Sequence, residues 1–182
     1  MAPLLIFQWN ANGLAAHKIE LEKYLIEISY APDVICIQET FLKPNRPFTL
    51  KGYNLVRKDR IEPKGGLITC IKNNINYTEI GVPDDLECIG IEVRMKTSSI
   101  TVFNIYNKPQ LDINSEAFEK LCNNRKTIIT GDLNAHNRLW YSESTNNSGK
   151  IIEEIIELNN FTVINSAEGT YQKHSGGLSH LD

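Results

Sequence analysis

No stretch of the chain approaches the roughly 20 consecutive apolar residues that a membrane-spanning helix requires. The opening MAPLLIFQWN has neither a basic leading region nor a following small-residue cleavage site, so export is not expected and an intracellular, cytoplasmic or nuclear setting is. Cysteine is sparse and unpaired in pattern. Cys36, Cys70, Cys88 and Cys122 include no Cys-x-x-Cys, and three of them sit in apolar runs, which suits buried thiols better than a structural zinc site or a disulfide framework. Neither GxGxxG nor GxxxxGKS/T occurs, which removes the usual dinucleotide and P-loop readings. Internal repeats, low-complexity blocks and long linkers are also missing, so residues 1–182 read as a single domain.

Positive charge is in short supply overall. Nineteen Lys and Arg against 22 Asp and Glu leave a net charge of -3, which disfavours a broad nucleic-acid-wrapping surface. The deficit is uneven, however. Between Lys43 and Lys72 eight basic residues meet only Asp59 and Glu62, a local charge of +6. Within this stretch Arg57, Lys58, Arg60 and Lys64 are candidates for holding a polyanion, the alternative being a solvated face. With 41% hydrophobic and 23% charged residues, the composition is that of an ordinary folded protein.

Short apolar runs at 4–8 and 33–39 flank a helical pattern over 18–29, in which Leu21, Tyr24, Leu25 and Ile28 recur at helical spacing before Pro32. Strand-like runs follow at 53–56, 66–71, 88–93 and 99–105, then a helix over 114–122 capped by Asn114 or Ser115. A strand at 126–130 leads into GDLNAH, and a helix over 149–158 is expected to be capped from Asn147 or Ser148. The chain closes with a strand at 161–164, a turn near 170–177 and the start of a strand at 178–182. This alternation predicts a layered α/β or α+β domain. Two antiparallel-looking strand pairs between residues 53 and 106 argue against a doubly wound parallel sheet.

Asn10, Glu39, Tyr106, Asp132 and Asn134 each lie at the far end of an apolar strand. In a layered sheet protein such ends can converge on one rim and share a pocket. The residue types suit phosphodiester hydrolysis, which needs a cation against the phosphoryl oxygens, an oriented water and hydrogen-bond donors. Glu39 offers a hard oxygen that suits Mg2+ better than zinc. Asp132 can bind or deprotonate water, Asn10 and Asn134 can hold substrate or Asp132, and Tyr106 can donate a phenolic hydrogen bond.

The segments WNANG (9–13), QET (38–40), IYNKP (105–109), GDLNAH (131–136) and SHLD (179–182) resemble, in order, signatures of the endonuclease/exonuclease/phosphatase superfamily. The branch they most resemble is the apurinic-endonuclease-like domain of non-LTR retrotransposons, which is encoded with a reverse transcriptase. The resemblance implies a four-layer α/β sandwich: two packed mixed β-sheets flanked by helices, here lacking the final strands. It implies Glu39 as the metal carboxylate with Asn10 beside it, and Tyr106 and Asn134 on the phosphate. Asp132 would align or activate water, and Asp182 would orient a catalytic histidine. His136 matches a position that shapes the site and the DNA-binding surface in the retroelement branch.

The implied activity is nicking of DNA with Mg2+, or Mn2+ in its place, as in target-primed retrotransposition. A monomeric domain is expected, with a reverse-transcriptase module in a full-length relative. Family members continue beyond the S-x-L-D segment to a Ser-Asp-His segment, whereas this sequence ends at Asp182. His180 stands two residues before Asp182, in the wrong place to be that histidine. The expectation is therefore slow cutting or none by the 182-residue form. The alternatives are a phosphatase or phosphodiesterase of the same superfamily, and a degenerate, inactive domain.

Overall fold

Period-two alternation along the strands decides the layering. The computed structural model describes residues 3–123, 126–165, 171–172 and 178–179. Its elements are β1 (Ile6–Asn10), α1 (Leu14–Glu27), β2 (Val34–Gln38), β3 (Tyr53–Lys58), β4 (Leu67–Lys72), β5 (Tyr77–Ile80), β6 (Glu87–Arg94), β7 (Ser99–Tyr106), α2 (Ser115–Cys122), β8 (Thr127–Asp132), a 3-10 turn (Arg138–Trp140), α3 (Asn147–Leu158), β9 (Tyr171–Gln172) and β10 (Leu178–Ser179). One sheet runs β1-β2-β4-β3 and the other β5-β6-β7-β8. Each sheet is mixed: β1 lies parallel to β2 and β7 parallel to β8, and the other neighbours are antiparallel. β9 and β10 pair as a separate antiparallel ribbon.

Alternate residues separate three apolar layers. Val34, Cys36, Leu67 and Ile71 of the first sheet meet Ile89, Ile91, Val102 and Tyr106 of the second. The intervening residues Ile35, Ile37, Ile68 and Cys70 turn outward onto Leu14 and Leu21 of α1. On the far side, Phe103 and Ile105 pack against Phe118 and Leu121 of α2 and Ile152 and Ile155 of α3. The order is α1, sheet, sheet, α2 with α3, which is the expected four-layer sandwich. Among the described residues no helix is long and apolar enough to cross a membrane.

Several expected boundaries moved. α1 begins at Leu14, four residues before the periodic pattern, because Gly13 turns the chain at φ 110° and has no side-chain cap. Backbone bonds from the segment after β2 hold that start: Gly13 N–H donates to Glu39 O at 2.8 Å and Leu14 N–H to Thr40 O at 3.0 Å. β5 was not foreseen in the sequence, and the 161–164 segment expected as a strand is irregular. Phe161 and Val163 still pack onto the α2/α3 cluster, so their apolar character serves burial without strand pairing among the described residues. The expected turn at 170–177 and strand at 178–182 fall mostly outside the described residues.

Candidate active site

The exits of β1, β2, β7 and β8 meet at one rim. Asn10, the last residue of β1, donates from Nδ2 to Glu39 Oε1 at 3.0 Å and to Asp132 Oδ2 at 2.7 Å. One amide thus joins carboxylates carried by different sheets. Glu39 itself has φ 48°, a left-handed conformation that costs a non-glycine residue about 1–3 kcal/mol. Backbone bonds on either side hold it: Ala11 N–H donates to Gln38 O at 3.0 Å, and Thr40 N–H donates to Gly66 O at 3.1 Å.

Tyr106 closes β7 opposite Asp132 in the parallel register of β7 and β8. Burial, then the neighbouring Glu39 carboxylate and its hydrogen bond, then Asp132 and Glu87, push the Tyr106 phenol above its ordinary range. The phenol therefore remains a protonated donor at neutral pH. Asp132 is buried, and its second oxygen, Oδ1, accepts from Asn134 N–H at 3.2 Å. Preceding it, Gly131 has φ 140°, and a Cβ there would strike the Ile105 carbonyl. Glycine thus lets β8 approach β7 closely enough to deliver Asp132.

Asn134, at φ 45°, turns its Nδ2 to Asn107 O at 2.8 Å, while Asn107 N–H donates to Asp132 O at 2.8 Å. Asn146 secures the same loop. Its Oδ1 accepts from His136 N–H at 3.0 Å and Gly149 N–H at 2.8 Å, and its Nδ2 donates to Asn134 O at 2.8 Å. The helix cap is therefore Asn146, one residue before the expected Asn147 and two before Ser148. His136 joins this arrangement through its backbone. Asp182, with His174 and His180, lies outside the described residues.

The basic stretch reaches the rim through Gly65 and Gly66. Phe41 N–H donates to Gly65 O at 3.0 Å, and Gly66 N–H donates to Glu87 Oε1 at 2.6 Å, beside Tyr106 in the β6/β7 register. Its cations are largely engaged within the protein. Arg57 makes a two-pronged contact with Asp59 at 3.2 and 2.8 Å, Arg60 lies 3.2 Å from Glu87, and Lys58 Nζ donates to Leu86 O at 3.0 Å. Lys43 Nζ donates to the carbonyls of Arg60, Ile61 and Glu62, clamping the loop. Lys64 is exposed.

Among the described residues no group of three or more His, Cys, Asp or Glu side chains is placed to hold a metal. Glu39 and Asp132 still form a pair of hard oxygen donors about one amide. That set fits Mg2+, which is commonly held by one or two carboxylates and otherwise by water, and does not fit zinc.

Sequence reasoning missed the amides beneath the rim. Gln8, Gln38 and Asn104 are joined in the inter-sheet layer, Gln8 Nε2 donating to Gln38 Oε1 at 2.8 Å and Gln38 Nε2 to Asn104 Oδ1 at 2.6 Å. Their signal was a polar residue on the inward register of an otherwise apolar strand. An apolar groove lined by Phe118, Leu133, Trp140, Ile152 and Val163 lies between β8 and the α2/α3 layer, away from the carboxylates.

Residues 100–182 match the family described as Endonuclease-reverse transcriptase. The chain is 24% identical over 180 residues to the RNA-directed DNA polymerase from mobile element jockey of Drosophila melanogaster, covering 94% of this chain and 19% of that protein. It thus spans about a fifth of the length of that relative. The solved endonuclease domain of TRAS1, a telomere-specific non-LTR retrotransposon, superposes with a TM-score of 0.76 at 16% identity, covering 99% of this chain and 82% of the other. An AP endonuclease from Leishmania major superposes with a TM-score of 0.64 at 16% identity, over 85% of this chain and 66% of the other. The resemblance read from the five motifs is thus borne out: the chain is similar to proteins of non-LTR mobile elements, and it shares the fold of the TRAS1 endonuclease domain.

Proposed function

We propose that this chain is a Mg2+-dependent endonuclease that nicks DNA by phosphodiester hydrolysis, with Mn2+ able to replace Mg2+. One observation carries the reading: the Glu39 and Asp132 carboxylates share the Asn10 amide beside Tyr106 at a single rim. Glu39 would hold the ion, with Asp132 as the neighbouring hard oxygen. A bound Mg2+ supplies positive charge against the phosphoryl oxygens as negative charge builds on them.

The chain's own groups divide the remaining work. Asp132 is oriented through both oxygens, by Asn10 Nδ2 and Asn134 N–H, and is the group to accept a proton from the attacking water. Tyr106, kept protonated, donates its phenolic hydrogen to a phosphate oxygen. Asn10 and Asn134 add amide donors without adding the negative charge that would repel DNA. Exposed Lys64 on the adjoining basic loop serves the phosphate backbone, and Arg57, Lys58 and Arg60 shape that loop. His136, whose backbone N–H is held by the Asn146 cap of α3, would contribute to the DNA-binding surface. In a protein that also carries reverse transcriptase, the nick would expose a 3'-hydroxyl for priming.

The test is conversion of supercoiled plasmid to open circle in Mg2+ by the chain and by any longer form its reading frame encodes. Nicking should stop with a chelator and fall about 10²-fold or more in Glu39→Gln and in Asp132→Asn. Absence of nicking by the folded forms, or nicking indifferent to both substitutions, overturns the reading. Faster cleavage of a phosphomonoester than of plasmid would assign a phosphatase instead.

A further inference from the structure

The layer between the two sheets changes character along its length. At its far end it is aliphatic, with Val34, Ile71, Ile91 and Val102 in contact. Nearer the rim the same inward registers carry Gln8 on β1, Gln38 on β2, Thr69 on β4 and Asn104 on β7. The next inward positions are Asn10 and Tyr106, with Glu39 directly after Gln38. An amide tier thus lies directly under the carboxylate tier.

Gln38 and Asn104 are fully buried, and every amide group of the pair has a partner. Gln38 Oε1 accepts from Gln8, and Gln38 Nε2 donates to Asn104 Oδ1 at 2.6 Å and to Cys36 O at 3.3 Å. Asn104 Nδ2 donates to Ile68 O at 3.0 Å, to Thr69 Oγ1 at 3.2 Å and to Ile37 O at 3.4 Å. Side chains of similar volume without polar atoms would fill this space with no desolvation to offset, so stability alone does not call for two amides here. What hydrogen bonds add over apolar packing is direction: they fix the lateral and axial offset of one sheet on the other. That offset sets where Glu39, on the β2 exit, meets Tyr106 and Asp132, on β7 and β8.

We propose that Gln38 and Asn104 are positioning residues that lock the offset of the two sheets beneath the rim, holding the Glu39 carboxylate and the Asn10 amide of one sheet in reach of Tyr106 and Asp132 on the other. The assignment rests on the nuclease reading of that rim. A shift of about 1 Å in such a constellation is enough to cost about 10²-fold in rate.

The test is the double variant Gln38→Met/Asn104→Leu, which removes both amides of the Gln38–Asn104 bond together. Circular dichroism checks folding, the Asn10 side-chain amide resonances report the carboxylate bridge, and plasmid nicking in Mg2+ gives kcat and KM. The expected result is a folded protein whose Asn10 amide resonances shift away from their wild-type positions. Its kcat should fall about 10²-fold while KM stays within about threefold, because positioning is lost and not DNA binding. Unchanged Asn10 resonances, or an unchanged kcat, in the folded double variant overturn the assignment. Should the double variant not fold, Gln38→Met alone, which keeps the three donations of Asn104 Nδ2, is read by the same criteria. If the wild type does not nick DNA, the nuclease reading falls on its own and the Asn10 resonances decide the positioning role.

Discussion

At the scale of single residues, burial governs what the four cysteines can do. Cys36, Cys70, Cys88 and Cys122 are all reduced and buried. Burial raises every thiol: Cys70 and Cys88 to about 12 and Cys122 to about 11, with Cys36 higher still. Reaction with a disulfide reagent needs the thiolate, which the folded state withholds. In the native protein all four should therefore resist the reagent at pH 8, and all four should react once denaturant unfolds the chain. Rapid native labelling of any one would place that thiol at the surface. The linkage has a definite sign. A folded-state value raised above the unfolded one contributes stability that is complete below the ordinary thiol value of 9.0 and is lost as pH climbs toward 12. Denaturant midpoints should accordingly hold steady up to about pH 8.5 and then fall, and Cys70→Ala should fall less steeply over that window.

At the scale of elements, α3 matters through its first turn. Asn146 caps the helix by accepting from Gly149 N–H, and the same side chain takes His136 N–H and donates to Asn134 O. Asn146→Ala removes all three and should cost about 2–3 kcal/mol, about one from the cap and the rest from loop groups left without partners. Asn146→Asp keeps the two accepting bonds and should recover most of that loss in a denaturant melt. Equal instability of the two variants would count against the cap. The sequence disclosed α3 through its isoleucine stripe but placed its cap one or two residues late, since neighbouring Asn146, Asn147 and Ser148 are all competent caps. The strands and their polar exits were legible because alternation and exit are local signals; Asn10, Glu39, Tyr106, Asp132 and Asn134 were found in this way. What brings Gln38 to Asn104, 66 residues away, is the packing of one sheet on the other, and no local pattern carries that. α1 began early for a similar reason, its first turn being held by the backbone of residues 39 and 40.

At the scale of the whole molecule, the proposed nuclease function requires a net charge of -3 to coexist with the approach of a polyanion. Counting basic residues along the chain overstates what the rim offers. Arg57 faces Asp59 at 2.8 Å with both side chains mostly buried, and Arg60 faces Glu87 at 3.2 Å under similar cover. These two cations are already neutralised and serve loop architecture together with the Lys43 clamp. Lys64 is exposed, so its charge remains available to phosphate, whereas part-buried Lys58 donates to Leu86 O and acts on the Glu87 carboxylate. Each phosphate neutralised steepens the fall of log affinity with log salt by about 0.9 for duplex DNA. Lys64→Gln should therefore flatten that dependence by up to about 0.9, measured by titrating a fluorescent duplex at several salt concentrations without divalent metal. Arg57→Gln should leave the slope nearly unchanged while lowering the melting temperature, because it removes a pair within the protein and no phosphate contact. A slope change in Arg57→Gln as large as that in Lys64→Gln would mean that the Arg57–Asp59 pair opens on DNA and that the whole cluster, not its unpaired members, meets the backbone.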